Sequence, residues 1–144
     1  MLVQQILKSK GGDGVISVKP DSPISEVASL LAERRIGGVI VSADGKSADG
    51  ILSERDIVRA VAQRGAPCLN ETAESIMTKR LETCTQQETA DQILQRMTDG
   101  RFRHMPVVED GAMIGIVTIG DLVAARLAEL SMEKDALEGM IMGH

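Results

Sequence analysis

The chain repeats itself once, and the repeat limits what it can fold into. Gly50-Ile51-Leu52-Ser53-Glu54-Arg55-Asp56-Ile57 returns as Gly115-Ile116-Val117-Thr118-Ile119-Gly120-Asp121-Leu122, at an offset of 65. Upstream, Asp44-Gly45 matches Asp110-Gly111 and Val39-Ile40-Val41 matches Met105-Pro106-Val107, both at an offset of 66. Ile24, Val27, Ala28 and Leu31 match Ala90, Ile93, Leu94 and Met97, and both sets follow the i, i+3, i+4, i+7 spacing of one apolar helix face. Even the lead-ins agree, with Val3 to Lys8 resembling Ala73 to Thr78.

Each copy reads strand, helix, strand, turn, strand, helix. In the first, Val15 to Val18 is a short strand, and Ser22-Pro23 predicts an N-cap followed by a proline at the first helical position. Ile36 to Val41 is a buried strand, Asp44-Gly45 a turn and Gly50 to Leu52 the next strand. A helix then runs from near Ser53 toward Gln63, and Arg64-Gly65-Ala66-Pro67 breaks it. The second copy repeats the plan from Leu81 to about Leu130. One unit of about fifty residues is marginal alone, so two are expected to bury their sheets against each other around a pseudo-two-fold axis. The fold class is therefore α/β, in the looser α+β sense. The units are residues 1–65 with their lead-in, 66–130, and a helical extension at 131–144.

With two copies of Gly-apolar-apolar-Ser/Thr-x-x-Asp and the strand Arg103-His104-Met105-Pro106-Val107-Val108 between them, the chain resembles a tandem pair of CBS (cystathionine-β-synthase) domains, a Bateman module. The resemblance implies β-α-β-β-α repeats whose clefts bind adenosine-containing ligands: AMP, ADP, ATP, NAD or S-adenosylmethionine. It further implies that the motif aspartate accepts from ribose hydroxyls and that the Ser/Thr lies near ribose or phosphate. This nominates Ser53 and Asp56 for one cleft and Thr118 and Asp121 for the other. A carboxylate that accepts from two vicinal hydroxyls is sound chemistry for a ribose. The same Ser/Thr-x-x-Asp pattern is also a helix capping box, and one residue can serve both roles.

Basic residues before the second strand reach phosphates in such modules, which nominates Arg101, Arg103 and His104, with Met105 and Pro106 beside them. Solvated charges and a structural histidine are the plainer alternatives. In the first copy Gly37 and Gly38 stand where the second has Arg103 and His104, so the clefts are not equivalent. Arg55 opens the first motif helix as a candidate phosphate contact, or simply as an exposed charge.

Other motifs fail on spacing. Gly45-Lys46-Ser47 lacks the earlier glycine of a P-loop, since that position is Ile40. Asp44 to Asp49 lacks the closing acid of a calcium loop, which falls on Arg55. Gly11-Gly12-Asp13-Gly14 reads as a turn, His104 and His144 have no metal-ligand spacing, and Cys68 and Cys84 form no CxxC. No catalytic constellation or catalytic cofactor is expected, so the chain reads as a sensor rather than an enzyme. A net charge of −5, with Phe102 the only aromatic residue of the FWY set, argues against nucleic-acid partners. No segment looks like a membrane span or a signal peptide, so a cytoplasmic protein with reduced thiols is expected.

The tail carries a separate signal. Val123, Leu127, Leu130, Lys134, Leu137 and Ile141 form one stripe of a helix from Asp121 to about Met140. Such a stripe either folds back on its own chain or meets a second copy, and the homodimer is the favoured expectation. With no effector domain expected in the chain, a partner in trans would read the liganded state. The competing class is an interaction or scaffold protein whose clefts are vestigial.

Overall fold

The computed structural model describes residues 1–11 and 15–142. Residues 12–14 of the expected turn over residues 11–14, and His144, lie outside them. The first lead-in is a helix, α1 (Val3–Ser9). It is followed by β1 (Ser17–Val18), α2 (Ile24–Arg34), β2 (Gly38–Val41), β3 (Gly50–Ser53) and α3 (Glu54–Arg64). Gly65, at φ 73°, ends α3 where the sequence breaks. After a 3-10 turn at Ala66–Asn70, the second copy contributes α4 (Ala73–Ile76), α5 (Ala90–Gly100), β4 (His104–Glu109), β5 (Ala112–Thr118) and α6 (Ile119–Ile141). The mixed helix-and-strand class and the duplicated plan are as the sequence predicts.

Strand β2 pairs in parallel with β1 and antiparallel with β3, while β4 and β5 form the matching hairpin. The expected first strand of the second copy shrinks to one parallel bridge, Cys84 to Val107. The flanking backbone groups turn to side chains instead. The Thr83 carbonyl accepts from Arg96 at 2.9 Å, and the Thr85 N–H donates to Glu88 at 2.7 Å.

The expected cap of α2 shifts by one residue. Pro23, not Ser22, is the N-cap, with extended backbone at ψ 142°. Pro23 bridges to Thr72, the Ile24 N–H donates to the Glu71 carbonyl at 2.9 Å, and the Ala73 N–H donates to the Ser22 carbonyl at 2.8 Å. Pairing with the second lead-in therefore holds the segment extended through the proline.

The same arrangement recurs at the other end. Leu2 bridges to Thr89, the Val3 N–H donates to Glu88 and the Ala90 N–H donates to Met1, both at 2.9 Å. Each lead-in thus packs on the other copy. Val3 and Ile6 are buried in the core of the second copy among Ile93, Met97, Met105 and Val117. Ala73, with Ile76 and Met77 against it, closes the core of the first. A third cluster joins the two sheets, where Ile40 and Ile51 meet Met113, with Ile116 beside them.

The exchange explains the motif glycines. A Cβ on Gly115 would lie 2.7 Å from a Leu7 methyl, and one on Gly50 would collide with the Met77 sulfur. The exchanged lead-in lies over each motif strand, and a side chain in place of either glycine would force Leu7 or Met77 to move.

Helix α6 is one uninterrupted element of 23 residues, about 34 Å long at 1.5 Å per residue. Leu122 and Ala125 face the core. The Val123–Ile141 stripe lies about 100° around the axis from Leu122, and Leu127, Leu137 and Ile141 are exposed at 63%, 59% and 82%. Among the described residues nothing of the chain covers this stripe, so the tail does not fold back over its own chain.

Candidate functional site: two clefts across the pseudo-two-fold axis

Each motif ends a strand and caps the helix that follows. The Ser53 N–H and hydroxyl donate to Asp56 Oδ2 at 2.9 and 3.0 Å, and the Asp56 N–H returns to Ser53 Oγ at 3.4 Å. The Thr118 N–H donates to Asp121 Oδ2 at 2.9 Å, and the Asp121 N–H returns to Thr118 Oγ1 at 3.2 Å. These are complete capping boxes. Among the described residues no hydrogen bond engages Oδ1 of either carboxylate. Capping therefore uses one oxygen and leaves the other to accept from a ligand.

Two clefts lie between the copies, and each joins the motif of one copy to the segment before the central strand of the other. The first, about 720 Å³, brings Ser53, Arg55 and Asp56 together with Arg101, Arg103 and His104. The second, about 960 Å³, brings Thr118 and Asp121 together with Arg35, Gly37 and Gly38. Both volumes suit a nucleotide-sized ligand.

Arg35 and Arg101 end α2 and α5 at φ 54° and 56°, the left-handed conformation normally given to glycine. An arginine there costs about 1 kcal/mol or more, and both arginines line clefts.

The clefts differ in charge. Arg55, Arg59, Lys79, Arg80, Arg101 and Arg103 surround the first, against Asp56 and Glu82. The second holds Lys8, Lys10, Arg35 and Arg103 against Glu54 and Asp121. Lys79, Arg80, Lys10 and Arg35 are functional candidates that the sequence analysis misses. The lead-in match at an offset of 70 pairs Lys10 with Arg80 and was the available signal. In the second cleft Lys10 Nζ lies 2.8 Å from Asp121 Oδ2 and 2.8 Å from the Ile116 carbonyl.

His104 lines both clefts. Its ring lies over Gly38, its counterpart by the repeat. A Cβ on Gly38 would sit 3.1 Å from Nε2 and 3.2 Å from Cε1, so the axis has room for one imidazole and not two. Burial, then the Arg103 charge, lowers its pKa from the ordinary 6.5, with Glu54 opposing. The ring is thus mainly neutral at pH 7. His104 acts as a wall between the clefts, where the sequence grouped it with the cations.

Met105 and Pro106 line neither cleft. The strand's alternation turns Met105 into the core of the second copy, fully buried, and the Pro106 carbonyl accepts from the Cys84 N–H at 3.0 Å. Cys68 and Cys84 are buried free thiols, and burial pushes Cys84 up to about 12, far from a reactive thiolate. Among the described residues no group of three His, Cys, Asp or Glu could hold a metal ion, and no helix is long and apolar enough to cross a membrane.

The family model for the CBS domain matches the chain twice, at residues 12–63 and 73–128. Among solved structures, the CBS-domain containing protein ATU1752 from Agrobacterium tumefaciens is 46% identical at a TM-score of 0.82, covering 88% of this chain and 99% of that one. A CBS domain protein from Pyrobaculum aerophilum, complexed with AMP, is 30% identical at a TM-score of 0.76, covering 92% and 99%. The CBS domain pair of protein MJ0100, in complex with 5-methylthioadenosine and S-adenosyl-L-methionine, is 27% identical at a TM-score of 0.77, covering 90% and 98%.

Proposed function

The chain belongs to the CBS domain family as a tandem pair, and on that premise we propose that it is a regulatory module whose two inter-repeat clefts bind adenosine-containing ligands. The observation that carries this is the pair of motif aspartates, each capped through Oδ2 and, among the described residues, unbonded at Oδ1, at equivalent places in the two clefts. The AMP, methylthioadenosine and S-adenosylmethionine bound by similar proteins support the adenosyl class.

The clefts divide the ligands by charge. The six cations around Asp56 suit a phosphorylated adenosine, whether AMP, ADP, ATP or NAD. The cleft around Asp121 has fewer cations and more apolar wall from Ile16, Ile36, Ile114 and Ile119, which suits a less charged adenosyl ligand. The test is titration of AMP and ATP into the wild type and an Arg103→Ala variant. At the Asp56 cleft the preference for ATP should fall about two- to fivefold, since a partly exposed ion pair contributes up to about 1 kcal/mol. An unchanged preference would contradict the charge assignment.

Binding would act by differential affinity, the ligand favouring one arrangement that a partner protein reads. We read the module as non-catalytic and, from its two free thiols, cytoplasmic. The completed capping boxes favour one rival, a scaffold whose aspartates serve only the helices. Absence of any adenosyl binding would select it.

The dimer is part of the proposal. Val58 on α3 and Val123, Leu127 and Leu130 on α6 expose apolar surface on outer faces of the motif helices, and Leu137 and Ile141 extend it. Burying such side chains is worth roughly 1.5–3 kcal/mol each. Leu130→Glu and Leu137→Glu should each raise the concentration at which the dimer dissociates at least about tenfold. Light scattering over a dilution series measures this, and unchanged dissociation in both variants would remove α6 from the interface.

A further inference from the structure

The two clefts receive a cation from the exchanged lead-ins, Arg80 in the first and Lys10 in the second, yet only Lys10 is bonded to its motif aspartate among the described residues. The difference traces to the backbone. In the first copy the Thr78 N–H donates to the Ile51 carbonyl at 2.8 Å, so the second lead-in adds a rung to the edge of β3. The equivalent residue in the first lead-in is Lys8, which still belongs to α1, because α1 runs to Ser9 where α4 stops at Ile76. Inside a helix its N–H is not free to bridge a strand. The Ile116 carbonyl, equivalent to that of Ile51, takes the Lys10 ammonium instead, also at 2.8 Å, and this places the same ammonium on Asp121.

We propose that Lys10 is a built-in competitor for the Asp121 cleft: it bonds Oδ2, the capping oxygen, and leaves Oδ1 open, but its charge offsets the carboxylate, so that an adenosyl ligand's sugar hydroxyls reach Asp121 at full strength only as Lys10 leaves it. This rests on the binding function proposed above. Among the described residues the Asp56 carboxylate has no such rival. Its extra donor is the Ser53 hydroxyl, which rotates away at little cost, whereas the Lys10 ammonium brings a full charge and a four-carbon stem into the cleft. The Asp56 cleft therefore fills first. Filling the Asp121 cleft releases Lys10 and strips the Ile116 carbonyl of its donor, which ties occupancy of that cleft to α1.

Adenosine is the probe, because an uncharged ligand loses no phosphate attraction when a lysine is removed. In an Asp56→Ala background, which isolates the second cleft, Lys10→Met should bind adenosine about two- to fivefold more tightly by calorimetry, as expected for removal of a partly exposed ion pair. Lys10→Arg should stay near the parent value. Salt weakens the ion pair, so adenosine affinity should rise with ionic strength while Lys10 is present and stay flat in Lys10→Met. Unchanged or weaker binding in Lys10→Met, or the same salt response with and without Lys10, would overturn the competitor while leaving nucleoside binding in place. Absence of binding by wild type to both adenosine and AMP would overturn the binding function, and the competitor with it.

Discussion

Replacing Asp56 by alanine is expected to weaken AMP binding at the arginine-rich cleft by roughly ten- to a hundredfold, the effect of losing a hydrogen bond to a charged group. Asp121→Ala should do the same at the other cleft and leave the first unchanged. Both variants should remain folded. Each loses half of a capping box, which costs about 1 kcal/mol of stability. Denaturant titration reads that cost and calorimetry reads the affinity, so the two roles of each aspartate separate. Binding at wild-type strength in both variants would reduce the motif carboxylates to caps.

Replacing Ile6 by alanine is expected to destabilise the protein by about 2–5 kcal/mol, as much as a substitution in the middle of a core. Ile6 sits on a short helix at the edge of the sequence plan, yet it is buried at 3% exposure among Ile93, Met97 and Met105 of the second copy. Lys8→Ala, on the exposed side of the same helix, should stay within about 0.5 kcal/mol of wild type. Urea unfolding followed by circular dichroism compares the two. Equal, small effects would mean that α1 decorates the second copy instead of completing it.

These two predictions draw on different depths of the sequence. The duplication, the hairpins and the capping Ser/Thr-x-x-Asp pairs were legible because they rest on local chemistry: turn glycines, helix periodicity and a cap spacing of three. The exchange of lead-ins was not. The apolar spacing of Val3 and Ile6 says that they are buried, and it is silent about which core buries them.

Met105 and Pro106 shared a segment with cleft residues; the alternation of the strand turns Met105 away from His104 into the core, while Pro106, further along β4, lines neither cleft. The single lysine reaching Asp121 depended on α1 outlasting α4, a boundary difference of a few residues that propensity does not resolve. Nor could composition reveal that Gly38 and His104 meet at the pseudo-axis, although the repeat aligned them; contact between equivalent residues follows only from the symmetry of the fold.

The central claim is that both clefts hold an adenosine whose sugar meets the motif aspartate. Titration of AMP into the isotopically labelled protein, followed by amide chemical shifts, tests it most directly. The shifts should concentrate at Ser53 to Asp56 and Arg101 to His104 first, then at Gly37, Gly38 and Thr118 to Asp121 at higher ligand. Shifts confined to surfaces outside both clefts, or none at saturating AMP, would contradict it.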